Sequence, residues 1–180
     1  MPVAPVDLSL TALKTLPLIE VGDDLSALID VALAAAEFKL VDGDILVIAQ
    51  KIISKSEGRY ALLDEIEPSA EALQWAAEVD KDPRLVQLIL DESKEVVRHR
   101  PGVMIVEHRC GYVHANAGID RSNITDFEGR ERVLLLPIDA NLSAKQLADY
   151  FARQGLKIGI IISDSAGRAW RNGITGFAIG

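Results

Sequence analysis

Residues 143–154 read SAKQLADYFARQ, and residues 157–168 read KIGIIISDSAGR. In the first stretch apolar positions recur at helical spacing, and Ser143 with Gln146 matches a capping box. In the second, residues 157–162 form the apolar run of a buried strand. A helix feeding a strand is the step from which βαβ units are built. The expected fold is therefore α/β or α+β, a mixed sheet with flanking helices. At Asp164 the run changes character, with an acid and two serines followed by Arg168, Trp170 and Arg171. An acid at the C-terminal end of a strand is where open α/β sheets place ligand and metal groups. Burying a carboxylate after a run of isoleucines is costly unless it is paired or metal-bound. Asp164 is thus either a ligand, an N-cap, or the partner of Arg168 or Arg171.

Working outward, residues 45–49 (ILVIA) form a second buried-strand run. Residues 24–38 place Leu25, Leu28, Ile29, Ala32, Leu33 and Ala36 on one helical face. Residues 69–79 and 82–93 read as two more helices, the latter opened by Asp82 as N-cap and Pro83 in the first helical position. Val96-Val97 and residues 103–106 flank the turn Pro101-Gly102 and predict a hairpin. Residues 112–115 add a short strand, and the apolar run 133–137 ends at a proline. Asp23-Asp24 marks a helix start and Asp42-Gly43-Asp44 a turn. The last residues, ITGFAIG (174–180), look like the beginning of a strand, so the chain is expected to be the front part of a longer protein.

Composition narrows the classes. At 180 residues, half of them apolar, the chain can bury the core of one domain, 1–180. A net charge of −8 argues against a nucleic-acid binder, although a few local cations would still serve a small anion. No apolar run approaches the roughly 20 residues of a membrane span, and MPVAPVDLSL lacks the basic and hydrophobic regions of a signal peptide. A single cysteine, Cys110, cannot form an internal disulfide. A cytoplasmic protein with no membrane partner is expected.

Two further polar constellations stand out. After the 45–49 strand, Lys51, Lys55 and Arg59 recur every fourth residue with Ser54 and Ser56 between them. Such a set either cradles phosphate or is a solvated turn, and it lacks the glycine pattern of a P-loop. In HANAGIDRSN (114–123), small residues around Gly118 let the backbone approach something closely. Asp120 and Asn123 carry the hard oxygens that Mg²⁺ or Mn²⁺ prefers; the alternative is an Asx-rich turn. His99, His108 and His114 show no zinc spacing, and Cys110 carries no catalytic signature.

Taken together, these stretches resemble the coenzyme F-420 gamma-glutamyl ligases, which add L-glutamate to the deazaflavin precursor F-420-0. The resemblance rests on LPLI (16–19), GDDL (22–25), ISKSEGR (53–59), NAGIDRSN (116–123), LLLP (134–137), ISDSAGR (162–168) and ITGFAIG (174–180). It covers nearly the whole chain. It implies a GTP-dependent ligase using Mg²⁺ or Mn²⁺, with K⁺ as a further candidate cation. GTP would phosphorylate the terminal carboxylate of F-420-0, and the glutamate amine would displace phosphate to leave an amide. It also implies a homodimer.

Residue by residue, the resemblance assigns Leu16, Pro17, Leu18 and Ile19 to the GTP site. It gives Gln50, Lys51 and Lys55 polar and phosphate-side contacts, and Asn123 a nucleotide contact. Asp120 and Asp164 become catalytic metal-binding aspartates, and Ser165, where family members often carry Thr, a ligand of a second metal. Family members continue past residue 180 with further metal and nucleotide contacts. Two other readings stay open: a non-catalytic nucleotide-binding or dimerisation module, and an amide ligase for another small carboxylate.

Overall fold

Asp24 opens the first helix, α1 (Leu25–Ala35), by accepting from the backbone N–H groups of Ser26 and Ala27. In the computed structural model, which describes residues 8–122, 124, 126–167 and 173–180, the chain continues through β1 (Ile45–Ala49), α2 (Gln50–Ser56) and β2 (Tyr60–Leu62). A helical hairpin follows, α3 (Ala70–Val79) and α4 (Pro83–Asp91), then β3 (Ser93–Arg100), β4 (Val103–His108), β5 (Val113–Ala115) and β6 (Arg132–Leu134). The last elements are α5 (Ala140–Arg153), β7 (Gly159–Gly167) and β8 (Ile174–Ala178).

The architecture is the expected mixture of helices and sheet, distributed over three small sheets. In the first, β1 pairs parallel with β7, which pairs antiparallel with β8. Ile48 and Ile162 face inward beneath Ile29, Leu33, Ile53, Leu147 and Phe151 of α1, α2 and α5. The alternate positions Ile45 and Val47 stay exposed. In the second, β3, β4 and β5 form an antiparallel meander. Met104 and Val106 pack there against Val79, Val86 and Ile89 of the helical hairpin. The strands β2 and β6 form a third, antiparallel pair. Burying a large apolar side chain such as Phe151 or Ile162 contributes about 1.5–3 kcal/mol, so these two cores supply most of the driving force.

Four local readings change. The 50–59 stretch is not an open turn: residues 50–56 wind into α2, and Ser54 turns inward to donate to Gln50 Oε1 at 2.9 Å. Arg59 is not a phosphate cation. It donates to the Leu136 carbonyl (2.8 Å) and pairs with Glu92 (2.8 Å). The α5 helix starts at Ala140 under Asp139, whose carboxylate accepts from Leu142 N–H, so Ser143 lies inside the first turn and donates to Glu57 instead. An aspartate four residues upstream of Ser143 outcompetes the Ser143–Gln146 box because it reaches an orphan N–H directly. Finally, β7 does not stop before Asp164 but runs on to Gly167, held there by β8.

The close approach around Gly118 is to the protein's own core. Asn116, Ala117 and Gly118 all have positive φ, and a Cβ at Gly118 would lie 2.6 Å from Leu136 Cδ1. Asn116 Oδ1 accepts from Met104 N–H, fixing this turn on β4. Gly118→Ala meets both a left-handed backbone and a steric clash. It is expected to lower the unfolding free energy by about 2 kcal/mol in a urea titration.

Candidate functional site

Where β1 ends, its parallel partner continues. Ala49 pairs with Ser163, the last rung of the β1–β7 ladder, and Asp164 is the next residue of β7. A parallel strand that outruns its neighbour leaves a crevice at its C-terminal side, the position where open sheets bind ligands. The crevice here is a cleft of about 450 Å³, a size typical of small-molecule sites. Ala49, Gln50 and Lys51 line it at the start of α2; Ala115 lines it from the end of β5, with Asp120 and Ser122 from the loop beyond; Ser163, Asp164 and Ser165 line it from β7.

Asp120 is bound on both oxygens. Oδ1 accepts from the Ser122 N–H (2.6 Å) and hydroxyl (2.7 Å), and Oδ2 pairs with Lys51 Nζ at 2.5 Å. Burial pushes its carboxyl up, but Lys51 and Ser122 outweigh burial and hold it below the usual carboxylate range. Lys51 also donates to the Ser122 carbonyl at 3.3 Å.

Asp164 finds its partner 50 residues away, in His114 of β5: Nε2 lies 2.8 Å from Oδ2. His114 is 7% exposed, and its Nδ1 lies 3.0 Å from the Ala115 carbonyl. In the sequence His114 lacks zinc-ligand spacing with the other histidines or Cys110. The available signal was alternation, because Val113-His114-Ala115 puts a polar ring on the inward face of a strand.

The cleft thus brings together Gln50, Lys51, Asp120, Asp164 and Ser165. Lys55 and residues 16–19 lie outside its lining. Ile19 is buried and Leu18 is 88% exposed. Their segment docks at the far end of α2, where Gly22 N–H donates to the Ser56 carbonyl at 2.8 Å. Asn123, Arg168, Trp170 and Arg171 lie outside the described residues.

The donor set suits a hard divalent cation: carboxylate and hydroxyl oxygens, with no thiolate in the lining. Among the described residues no three His, Cys, Asp or Glu side chains converge on one point. Two carboxylates would leave most of a coordination sphere to water and phosphate oxygens, the way Mg²⁺ is commonly held. No helix of the described residues is long and apolar enough to cross a membrane.

Comparison with known proteins shows similarity along most of the chain. The family model F-420-0:gamma-glutamyl ligase matches residues 14–180. The coenzyme F-420:L-glutamate ligase of Methanothermobacter thermautotrophicus is 42% identical over 174 residues, 96% of this chain and 68% of the relative. That of Methanocaldococcus jannaschii is 43% identical over 81% of this chain and 57% of the relative. That of Archaeoglobus fulgidus is 42% identical over 92% of this chain and 63% of the relative. The chain therefore spans roughly two thirds of the length of such relatives, and it belongs to the F-420-0:gamma-glutamyl ligase family.

Proposed function

We infer that this polypeptide supplies the metal and phosphate end of a GTP-dependent ligase that joins L-glutamate to F-420-0. The observation that carries this reading is the convergence of Asp120 and Asp164 on one cleft, beside a lysine, in a chain of this family.

The helix α2 acts as the ruler for the nucleotide. Its seven residues measure about 10 Å. Lys51 stands at the cleft end, Lys55 one turn further, and residues 16–19 beyond the far end. The triphosphate lies at Lys51 and Lys55, and the base reaches toward Leu16, Pro17, Leu18 and Ile19, where the exposed Leu18 offers apolar cover. Gln50 and Asn123 supply polar contacts. Lys51 leaves Asp120 for the phosphate oxygens when nucleotide arrives, exchanging one anion for another.

Asp120 and Asp164 would hold a divalent cation, Mg²⁺ or Mn²⁺, which would neutralise charge on the transferring phosphoryl group. Successive side chains on a strand point to opposite faces. Ser165 therefore serves a different position from Asp164, fitting a second ion. A carboxylate oxygen of F-420-0 attacks the γ-phosphorus and GDP leaves; the glutamate nitrogen then attacks the acyl carbon, phosphate leaves, and an amide remains. The activated carboxyl forms in the cleft, and Lys51 stabilises the departing phosphate by charge.

The full-length protein, incubated with GTP, Mn²⁺, glutamate and F-420-0, is expected to give a product one glutamate heavier by mass spectrometry, with matching phosphate release. Absence of glutamate-dependent GTP consumption would overturn this reading. We further infer a cytoplasmic homodimer, which sedimentation of the full-length protein would check.

A further inference from the structure

We propose that His114 is a positioning residue for the ligase reaction, setting the separation of the two aspartates by tying the segment that carries one to the strand that carries the other. This rests on the reading of Asp120 and Asp164 as metal ligands.

Asp164 belongs to β7 in the first sheet, whereas Asp120 follows β5 of the second by a short loop. The two sheets have distinct hydrophobic cores that touch through Tyr112 and Leu136, and the Asp120 backbone is bridged to Leu134, so the polar tie adds to an apolar contact between the two segments. The His114–Asp164 hydrogen bond, at 2.8 Å, crosses that boundary six residues before Asp120. The imidazole is itself held in place. Its Nδ1 meets the Ala115 carbonyl at 3.0 Å, and its ring leans on Phe177, 5.6 Å between centroids. Phe177 is the residue paired with Asp164 across the β7–β8 ladder, so ring, carboxylate and phenyl form one packed unit.

An unsupported aspartate rotates about its terminal torsion and offers either oxygen. With Oδ2 engaged by His114, rotation stops, and Oδ1 is the oxygen we assign to the ion. Groups that hydrogen-bond a ligating carboxylate from behind commonly change metal affinity 10- to 100-fold when removed.

The test measures Mn²⁺ binding to the full-length protein by electron paramagnetic resonance of the free ion, with GDP present throughout. His114→Phe, which keeps the ring and loses the donor, is expected to weaken Mn²⁺ about 10- to 100-fold. His114→Gln, whose amide nitrogen can stand where Nε2 stood, recovers most of that loss. Should His114→Phe fail to fold, His114→Asn, polar but too short to reach Asp164, takes its place with the same expected loss. Wild-type affinity in the donor-less variant, or equal losses in the donor-less variant and His114→Gln, overturns the proposal. Asp164→Asn separates the two levels. If Asp164→Asn loses Mn²⁺ while His114→Phe keeps it, only the positioning role falls. If Asp164→Asn binds Mn²⁺ like wild type, the metal reading falls and takes the positioning role with it.

Discussion

Asp164→Asn is expected to lower kcat of the full-length ligase by a factor on the order of a thousand, with only a small change in melting temperature. The substitution keeps the shape of the side chain and an oxygen acceptor for His114 Nε2–H, so the packed unit with Phe177 survives. What disappears is the negative charge. In a cleft where that carboxylate is 13% exposed, a cation would lose a strong electrostatic partner. Removing one preorganised group that stabilises transition-state charge typically costs a hundred- to a thousand-fold in kcat, about 3–4 kcal/mol, and a metal ligand lies at the upper end. Steady-state kinetics beside a thermal melt give both numbers. Near-normal turnover would make Asp164 simply the structural partner of His114.

The second large effect concerns stability. Arg59→Met is expected to lower the unfolding free energy by about 3 kcal/mol. The guanidinium ties three segments, donating to the Leu136 carbonyl before α5 and pairing with Glu92 after α4. Glu92 also faces His108 Nε2 at 3.6 Å, and both side chains are largely buried. Breaking such a pair leaves a charge without its partner, which costs more than the pair itself contributes. Burial pushes the Glu92 carboxyl up, but His108 and Arg59 outweigh it, and the folded protein holds Glu92 below its ordinary value of 4.5. The sign follows: unfolded chains take up this proton more readily, so the contribution is present above pH 4.5 and is lost as pH falls through the lower folded value. Urea titrations at about pH 6 and pH 3.5 should show a smaller acid-induced loss in Arg59→Met than in wild type. Glu92→Gln added to Arg59→Met should return part of the stability, since it removes the stranded charge.

Much of the frame was legible in local chemistry. Asp24 and Asp82-Pro83 cap helices where expected, because an N-cap acts within three residues. The runs 45–49 and 157–162 mark the two parallel strands, because buried strands need continuous apolar residues. Within the 174–180 stretch, Ile174–Ala178 form a strand, as the pattern suggested. Less legible was α2, whose alternating lysines and serines carry no helical stripe strong enough to distinguish it from a turn. The Ser143–Gln146 box misled because Asp139 lies just upstream and caps first.

At the site, Asp120, Asp164 and Lys51 stand out in the sequence as candidates, and the fold places all three around one cleft. Their pairings were not identifiable. His114 meets Asp164 across 50 residues, and Lys51 meets Asp120 across 69, distances at which only the folded topology decides who meets whom. Arg59 was the reverse case: a cation in step with Lys51 and Lys55 whose partner, Glu92, lies 33 residues on, at the end of α4.

The most direct measurement of the central claim is the location of bound metal. Crystals of the full-length protein grown with Mn²⁺ and GDP, and measured at the manganese absorption edge, are expected to show an anomalous peak between the Asp120 and Asp164 carboxylates, with Lys51 turned away from Asp120 toward phosphate. A peak elsewhere, with Asp120 still paired to Lys51, would contradict the account.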